Sequence, residues 1–411
     1  MCKIQTIREH SSWTFEIGVI PKPIFFSNKQ YCLEVSQLSD ETHQVKSNYF
    51  IGVDWVVQNE RAIYVEPKLN KESFNTDYLK MLFSALQHSD IAQRYTKGVF
   101  EIKFDEPYIE IEQKQDLLTP LLVVQFLQVV KAIVRKGLKK SYYKVENNLN
   151  SRVKGKIIVS KTLKNNVLKN KLTHTVCQYE EFGYNGLENR LLKKAMLFVQ
   201  RYLPMMKIKS SEVFTQEAFN YILPAFTNVD DDIDLNAMKH TKTNAFYKEY
   251  EEGLRLARLI LKRFGYNITT IDKQGKVKVP PFWIDMSKLF ELYVLGLLKE
   301  KFSSGVEFQV KGKYGWADYL VKFGDKRLIV DAKYKPKYLS EYEADDIRQL
   351  SGYARDKGIL SELGVSFDKI VDCLIIYPDQ TADEKLKDEW TEIDSFTQFY
   401  KTAVKLPVIQ S

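Results

Sequence analysis

The sequence has no hydrophobic run long enough to cross a membrane. Nowhere in its 411 residues do about 18 apolar residues follow one another, which is the length that a spanning helix needs. The longest apolar tract lies around residues 121–124 and is interrupted by Gln125 and Gln128. The amino terminus also lacks a positively charged region that leads into an apolar segment. We therefore expect a protein that is neither secreted nor membrane-spanning and that is located in the cytoplasm.

Cysteine is scarce and shows no metal-binding pattern. The four cysteines are Cys2, Cys32, Cys177 and Cys373, and none of them has the close spacing of a zinc site. This usage is typical of a reducing compartment and argues against a structural zinc ion. We expect the cysteines to be small buried hydrophobic side chains.

Positive charge is concentrated in one part of the chain. The net charge is +8, yet residues 131–220 contain 19 Lys and Arg against 6 Asp and Glu, an excess of 13. Aromatic side chains are interleaved with these charges, namely Tyr142, Tyr143, Tyr179 and Tyr184. Such a composition suits contact with the phosphate backbone and base faces of a nucleic acid. The alternative is a set of lysine-rich helix faces that are simply solvated.

The segment at residues 316–335 predicts a β-hairpin with charged groups at its open end. Two apolar-rich runs flank Gly324 and Asp325, and glycine at the first central position is typical of a type II′ turn. With this turn, cross-strand partners have residue numbers that sum to 649, so that Asp318 lies opposite Asp331. Lys333 follows two residues later and therefore lies on the same face, because side chains alternate along a strand.

Such an arrangement suits hydrolysis of a phosphodiester bond. Two carboxylates side by side are destabilising unless something compensates their charge, and a divalent cation would do so. Mg²⁺ binds through one or two carboxylates together with water and phosphate, and it can orient an attacking water. A nearby ammonium offsets charge on the phosphorus. The alternative is that these are solvated charges at a strand edge.

The sequence resembles the PD-(D/E)xK nuclease superfamily and, within it, the McrC family of restriction-system nuclease subunits. The resemblance runs from about residue 50 to about residue 378. It rests on the hairpin and on segments in the family's order: residues 63–68 (IYVEPK), 152–157 (RVKGKI), 177–181 (CQYEE), 188–192 (ENRLL) and 284–294 (IDMSKLFELYV). Ala317 stands where the superfamily name has proline, a departure that many members share.

The resemblance implies a set of site residues. Asp318, Asp331 and Lys333 correspond to the acidic pair and lysine, Glu291 to a helix-borne acid, and Gln349 to a glutamine that approaches the active site. The catalytic set is thus predicted to be Asp318, Asp331, Lys333, Glu291 and Gln349. The predicted ligands of one or two Mg²⁺ ions are Asp318, Asp331, Ala332 and Glu291.

The resemblance also implies a partner. The family works with a ring-forming AAA+ GTPase, McrB, which reads double-stranded DNA containing modified cytosine and which the nuclease subunit stimulates. This sequence has no Walker A motif, so we expect it to bind no nucleotide itself. Two other functions remain open, namely a non-catalytic activator or adaptor of the ring and a stand-alone nuclease.

The periodicity of the sequence predicts an α+β protein of three parts. Residues 1–150 form a strand-rich amino-terminal domain, which inserts into the partner by resemblance and includes a long helix at 119–138. Residues 151–270 form a basic helical region, with helices at 185–203 and at 246–264, the second capped by Gly265. Residues 271–411 correspond, by resemblance, to the PD-(D/E)xK mixed α/β nuclease core, and their periodicity predicts a helix at 282–299, a helix from 345 onwards and a central strand at 369–377.

Overall fold

A computed structural model gives the fold of this chain. It describes residues 3–16, 21–27, 29–39, 42–70, 74–86, 98–103, 105–112, 118–202, 212–233, 248–268, 276–313, 315–335, 338, 343–383 and 385–410. Cys2, Leu203 and residues 246–247, which took part in the sequence-based expectations, lie outside the described residues.

The strands are numbered in chain order. They are β1 (Lys3–Arg8), β2 (Ser12–Glu16), β3 (Ile24–Phe25), β4 (Tyr31–Gln37), β5 (Thr42–Ser47), β6 (Phe50–Val57), β7 (Arg61–Glu66), β8 (Phe74–Thr76), β9 (Phe100–Ile102), β10 (Ile109–Glu112), β11 (Ser141–Asn150), β12 (Lys156–Ile157), β13 (His174–Gly183), β14 (Lys276–Val279), β15 (Phe282–Asp285), β16 (Val306–Lys311), β17 (Trp316–Phe323), β18 (Lys326–Ala332), β19 (Asp372–Pro378), β20 (Thr391–Glu392), β21 (Phe399–Val404) and β22 (Val408–Gln410).

The helices are numbered in the same way. They are α1 (Tyr78–Leu86), α2 (Leu118–Lys136), α3 (Val159–Asn165), α4 (Leu187–Tyr202), α5 (Glu212–Ile222), α6 (Lys248–Ile268), α7 (Met286–Phe302), α8 (Ala344–Tyr353) and α9 (Lys357–Leu363). The combination of several sheets with these helices agrees with the predicted α+β class.

The chain divides into two compact units. The first joins Met1–Leu118 to Ile271–Ser411, and the second is Thr119–Thr270. The sequence-based division into three parts differs from this, because it assigned the first and last segments to separate domains. Those segments share sheets: β15 lies between β6 and β9, β14 pairs with β10, and β22 pairs with β8. Pairing between strands so far apart in sequence leaves no local signal.

A five-stranded sheet joins the two segments of the first unit, with the order β1-β7-β6-β15-β9. Its neighbours are antiparallel except for β1 and β7, which are parallel. We predicted helix from residue 282, but Phe282–Asp285 is a fully buried strand and the helix begins at Met286. Asp285 caps that helix, since its side chain accepts a hydrogen bond from the Lys288 N–H. The expectation was wrong at this end because pairing with β6 and β9 outweighs local helical periodicity.

A six-stranded mixed sheet forms the carboxy-terminal part of the first unit, with the order β16-β17-β18-β19-β21-β20. The strands β16, β17 and β18 are antiparallel, whereas β18, β19 and β21 run parallel. One face of this sheet packs on α8 and α9 through a core that includes Leu320, Ile329, Ile347 and Leu363. The predicted central strand is present as β19, which has a paired neighbour on each side.

The second unit contains long helices and one small sheet. The helices α2, α4 and α6 correspond to the three predicted amphipathic helices, and α4 packs on α6. The Tyr250 hydroxyl on α6 donates to Asn189 Oδ1 on α4 at 2.7 Å. Gly265 does not cap α6, because the helix continues to Ile268. The middle region is also less helical than predicted, since β12 and β13 lie within it and form an antiparallel sheet with β11, the strand just before it.

The cysteines within the described residues agree with their expected role. Cys32, Cys177 and Cys373 are free and buried, and burial raises the pKa of the Cys373 thiol to about 12. In the described part of the chain no helix has the length and apolar character to cross a membrane.

We expect Gly52→Ala to disrupt the pairing of β6 with β15. Gly52 has φ +151°, and an added Cβ would lie 2.0 Å from the Phe282 carbonyl oxygen, so both conformation and space require glycine. The free energy of unfolding should fall by about 3 kcal/mol or more, as measured by urea denaturation. In Gly352→Ala the added Cβ meets no atom within 4 Å, and because Gly352 lies in α8 this control should be neutral or slightly stabilised. Equal denaturation midpoints for Gly52→Ala and the wild type would contradict the pairing of β6 with β15.

Candidate active site

The hairpin of β17 and β18 has the register that the sequence predicts. Tyr319 pairs with Val330 and Phe323 pairs with Lys326, so partner numbers sum to 649. Gly324 in the turn has φ +54°, as the first central position of a type II′ turn requires. Asp318 lies one position beyond the last paired residue of β17, and its Oδ2 accepts a hydrogen bond from the Ala332 N–H at 3.1 Å. The turn therefore delivers Asp318 to the end of β18, where Asp331 lies.

Lys333 lies beside Asp331 at the end of β18. Its Nζ is 2.7 Å from Asp331 Oδ2, and the two side chains are 16% and 3% exposed. Its backbone N–H donates to the Ile376 carbonyl on β19 at 2.8 Å, which extends the parallel pairing of β18 with β19. From Leu328 to Lys333 this segment is thus supported by the buried strand β19.

Helix α8 supplies two more partners of this lysine. Lys333 Nζ donates to Gln349 Oε1 at 3.1 Å and lies 3.5 Å from Asp346 Oδ1. Asp346 is itself held by Lys335 at 3.0 Å and by the Tyr338 hydroxyl, which donates to its Oδ2. Burial opposes a raised pKa of Lys333, but Asp331, Asp346 and Asp318 together outweigh burial and raise it. Lys333 therefore remains a cation.

Glu291 reaches the same cleft from helix α7. The helix starts at the cap formed by Asp285, and the Tyr319 hydroxyl on β17 donates to the Glu291 carbonyl at 2.7 Å. Burial, followed by the negative charges of Asp285 and Asp331, raises the pKa of Glu291 from 4.5 to about 7. Burial, Asp331 and Glu291 raise the pKa of Asp318 well above its ordinary value of 3.8. Burial is the main cause in both cases and neighbouring carboxylates add to it, so both carboxyl groups hold a proton more tightly than usual.

These side chains line a cavity of about 610 Å³ in the first unit. The residues around it come from both segments of that unit: Gln30, Tyr49, Phe50, Asp285, Ser287, Lys288, Glu291, Gln309, Trp316, Asp318, Ala332, Lys333, Tyr334, Lys335 and Gln349. The structure therefore brings Asp318, Glu291, Ala332, Lys333 and Gln349 to one cavity. Asp331 is not among the lining residues; it is buried and contacts Lys333.

The donor set fits a hard cation that keeps part of its water shell. Among the described residues, no group of three or more His, Cys, Asp and Glu side chains is arranged to hold a metal ion by itself. Mg²⁺ does not need such a cage, because one or two carboxylates with water complete its shell. The raised pKa of Asp318 is the sign of a carboxylate that a bound cation would stabilise.

Several residues of the cleft escaped the sequence analysis. Gln309 lies on β16 between Phe308, which pairs with Tyr319, and Val310, which pairs with Ala317, and is therefore opposite Asp318. It has φ +51°, a strained conformation for a residue other than glycine. Its sequence context offers no signal for this conformation.

Asp346 and Lys68 were also missed as contributors to the site. Asp346 lies in the first turn of the helix predicted from residue 345, and it contacts both Lys333 and Lys335. Lys68 lies in the segment 63–68 that carried part of the resemblance, and its Nζ donates to the Tyr334 carbonyl. The resemblance of that segment was the one feature of the sequence that could have pointed to Lys68.

Comparison with known proteins gives a family and structural likenesses. Residues 45–358, well over half of the chain, match the family described as "McrBC 5-methylcytosine restriction system component". No curated protein matches the chain. One similar solved structure is a refined half-complex from a tetradecameric assembly of Thermococcus gammatolerans McrB AAA+ hexamers with bound McrC. The matching chain is 15% identical to this one, and the match covers 98% of this chain and 94% of that chain with a TM-score of 0.43. The cryo-EM structure of the Thermococcus gammatolerans McrBC complex gives 15% identity, 72% and 87% coverage, and a TM-score of 0.30.

We expect Asp318→Asn to stabilise the metal-free protein at high pH. A raised carboxyl pKa means that the folded state binds protons more tightly than the unfolded state, so stability falls as pH rises from the ordinary value of 3.8 towards the raised pKa. In EDTA, the variant should therefore melt at a higher temperature than the wild type at pH 8, and the difference should shrink at pH 5. Added Mg²⁺ should raise the melting temperature of the wild type more than that of the variant.

The exposed turn residue Asp325 provides a matched control for this experiment. Asp325→Asn should leave the melting temperature nearly unchanged at both pH values. Identical melting of Asp318→Asn and the wild type at pH 8 in EDTA would show that the carboxylate cluster is not electrostatically strained.

Proposed function

The chain belongs to the family of McrBC 5-methylcytosine restriction system components, and on that premise we propose that it is the DNA-cleaving subunit, a Mg²⁺-dependent endonuclease of the PD-(D/E)xK type. The observation that carries the proposal is the convergence of Asp318, Asp331 and Lys333 at the open end of one hairpin, with Lys333 Nζ 2.7 Å from Asp331. The order of α7, three antiparallel strands, α8, α9 and the parallel strand β19 supports the mixed α/β nuclease core that the resemblance implied.

In this proposal Asp318 and Asp331, with the main-chain carbonyl of Ala332, would hold Mg²⁺. When bound, the ion would act as a Lewis acid on the phosphate and orient the attacking water. Glu291 would serve as an outer carboxylate, reaching the ion through water, since it forms no three-carboxylate cluster with the two aspartates within the described residues.

Lys333 would act directly on the reacting atoms. Its ammonium is kept charged by Asp331 and Asp346 and is oriented by Gln349. A donor fixed before the reaction stabilises the charge that develops on the phosphoryl oxygens at no cost of reorganisation. Gln349 in turn is fixed by its own hydrogen bond, in which Nε2 donates to the Tyr353 hydroxyl at 3.1 Å.

A partner AAA+ GTPase, which this chain would stimulate, belongs to the same proposal. A family named for a restriction system component and a sequence without a Walker A motif support it. The second unit also has exposed apolar side chains suited to a protein contact, among them Val159, Leu163, Leu168 and Leu172 at 50–80% exposure. These side chains lie outside residues 1–150, the part expected to insert into the partner.

DNA is the proposed substrate, and the second unit supports its binding. On the exposed sheet of β11 and β13, Tyr142 lies against Phe182 with ring centroids 5.1 Å apart, and Lys154 Nζ lies 3.9 Å from the Tyr179 ring centroid. Lysines beside exposed rings provide contacts for phosphates and base faces. These contacts carry no sequence information, so recognition of modified cytosine would belong to the partner.

We expect Asp331→Asn to lose at least about 100-fold in cleavage rate, because the substitution keeps the side-chain volume but removes the negative charge that holds both Mg²⁺ and Lys333. Cleavage of supercoiled methylated DNA is measured with the partner GTPase, GTP and Mg²⁺. Asp325→Asn, the same exchange in the exposed turn, should cut at the wild-type rate.

The same assay separates the other two functions. A wild-type chain that raises the partner's GTP hydrolysis but yields no cleavage with Mg²⁺ or Mn²⁺ would be an activator. Cleavage at full rate without the partner would indicate a stand-alone nuclease. Wild-type cleavage by Asp331→Asn would remove the proposed active site.

We also expect the isolated chain to bind methylated and unmethylated duplexes with equal affinity, because its basic region offers phosphate contacts and its sequence shows neither a helix-turn-helix nor a zinc-finger motif. The logarithm of the binding constant should fall linearly with the logarithm of salt concentration, with a slope of about −0.9 for each phosphate neutralised. Fluorescence anisotropy at several salt concentrations measures both. A preference of about tenfold or more for the methylated duplex would place recognition in this chain.

A further inference from the structure

A buried polar cluster lies beside the cleft, outside the predicted site. The strands β1 and β7 are parallel neighbours in which Arg8 pairs with Glu66, so the residues that follow them leave the sheet at the same edge. Glu9 and Lys68 are brought together there. Their common contact is Tyr334, the residue directly after Lys333, and Glu9 and Tyr334 are only 3% and 2% exposed.

Lys68 binds Tyr334 in two ways. Its Nζ donates to the Tyr334 carbonyl oxygen at 2.6 Å and lies 3.9 Å from the centroid of the Tyr334 ring. Glu9 Oε2 connects both residues, because it accepts the Lys68 backbone N–H at 2.9 Å and the Tyr334 hydroxyl at 3.2 Å. The cluster thus fixes Tyr334 at its carbonyl, its ring and its hydroxyl.

These contacts act on the main chain that carries the catalytic lysine. On one side the Lys333 N–H donates to the Ile376 carbonyl at 2.8 Å, and the Lys335 N–H donates back to the Lys333 carbonyl at 2.7 Å. Lys68 holds the next carbonyl from the other side. The position of the Lys333 Cα therefore depends on the carboxy-terminal strand β19 and on a lysine of the amino-terminal segment.

The cluster is costly for the fold. Burial lowers the pKa of Lys68 to about 8 and raises the pKa of Glu9 to about 7, and Glu9 Oε1 is buried without a hydrogen-bond partner in the structure. Apolar residues of similar volume at such positions often give equal or higher stability. The stability of the fold thus does not explain a lysine at position 68. A need to hold the Tyr334 carbonyl in a fixed position does explain it.

We propose that Lys68 is a positioning residue that fixes the Tyr334 carbonyl and thereby aims the Lys333 ammonium at the reacting phosphate. The inference rests on the proposed nuclease function and adds to it a contribution from the amino-terminal segment. A displacement of about 1 Å in a catalytic group can cost about 100-fold in rate, so loss of this anchor should reduce the chemical step without weakening DNA binding.

The central test is Lys68→Met, which keeps most of the side-chain length but removes the donor. With the partner, GTP and Mg²⁺, we expect single-turnover cleavage to fall between about 10-fold and about 100-fold, with DNA affinity within about twofold of wild type. In the metal-free chain, hydrogen exchange of the Tyr334 and Lys335 amides should become faster. Lys68→Arg, which keeps a cation over the ring and an N–H donor, should recover most of both losses.

Two further variants separate positioning from general stability. Lys103→Met removes another partly buried lysine of the first unit, whose Nζ lies 2.7 Å from Asp54 Oδ2. It should lower the melting temperature but leave the cleavage rate and the exchange of Tyr334 unchanged. Tyr334→Phe removes the hydroxyl contact with Glu9 but keeps the carbonyl that Lys68 binds, so it should lose much less cleavage rate than Lys68→Met.

The outcomes distinguish this inference from the function on which it rests. If the wild type cuts and Asp331→Asn does not, but Lys68→Met cuts at the wild-type rate, the nuclease proposal stands and the role of Lys68 is refuted. Equal rate losses in Lys68→Met and Lys103→Met would also refute it. If Lys68→Met does not fold, Lys68→Gln is used instead, because the glutamine side chain is too short to reach the Tyr334 carbonyl. Slow hydrogen exchange at Tyr334 and Lys335 together with a wild-type cleavage rate in Lys68→Gln would overturn the proposal.

Discussion

The two-residue turn at Gly324 and Asp325 is the constraint on which the candidate site depends. Because side chains alternate along a strand, a slip of one residue between β17 and β18 would move Asp318 away from Asp331 and send one of them to the opposite face. The positive φ of Gly324 selects a turn whose twist matches the strands. Apolar packing favours the same register, since Leu320 and Ile329 pair across the hairpin and both are fully buried. Packing and turn chemistry thus specify the same register.

The fixed register imposes an electrostatic strain that the rest of the first unit moderates. Asp318 and Glu291 have raised pKa values, chiefly because they are buried and also because other carboxylates lie near. The protein offsets part of this charge with Lys333, and it surrounds Lys333 with Asp331, Asp346 and Gln349. Strain of this kind persists where the surrounding structure over-determines the geometry. Here the supports are β19, which pairs with β18 in the sheet, and α8, which packs on the face of that sheet.

Local patterns account for what could be predicted, and long-range pairing accounts for the rest. The hairpin register, the helices α2 and α4 and the central strand β19 follow from periodicity and turn chemistry within about 20 residues. The strand β15 was mistaken for helix because its partners Phe50–Val57 and Phe100–Ile102 lie more than 170 residues away. Gln309 and Asp346 were missed for a similar reason. Their importance comes from neighbours that only the folded sheet provides, and their own sequence context is ordinary.

The same long-range pairing extends the proposed nuclease core beyond residues 271–411. A core limited to residues 271–411 would contain Asp318, Asp331 and Lys333, but it would leave β15 without β6 and β9. It would also lose Tyr49 and Phe50 from the wall of the cavity and Lys68 from the Tyr334 carbonyl. The strand β15 leads directly into Asp285, the cap of α7, and so into Glu291. The amino-terminal segment is therefore part of the cleft itself, and a change in that segment can reach Lys333 and Glu291 of the candidate site through contacts of one or two residues.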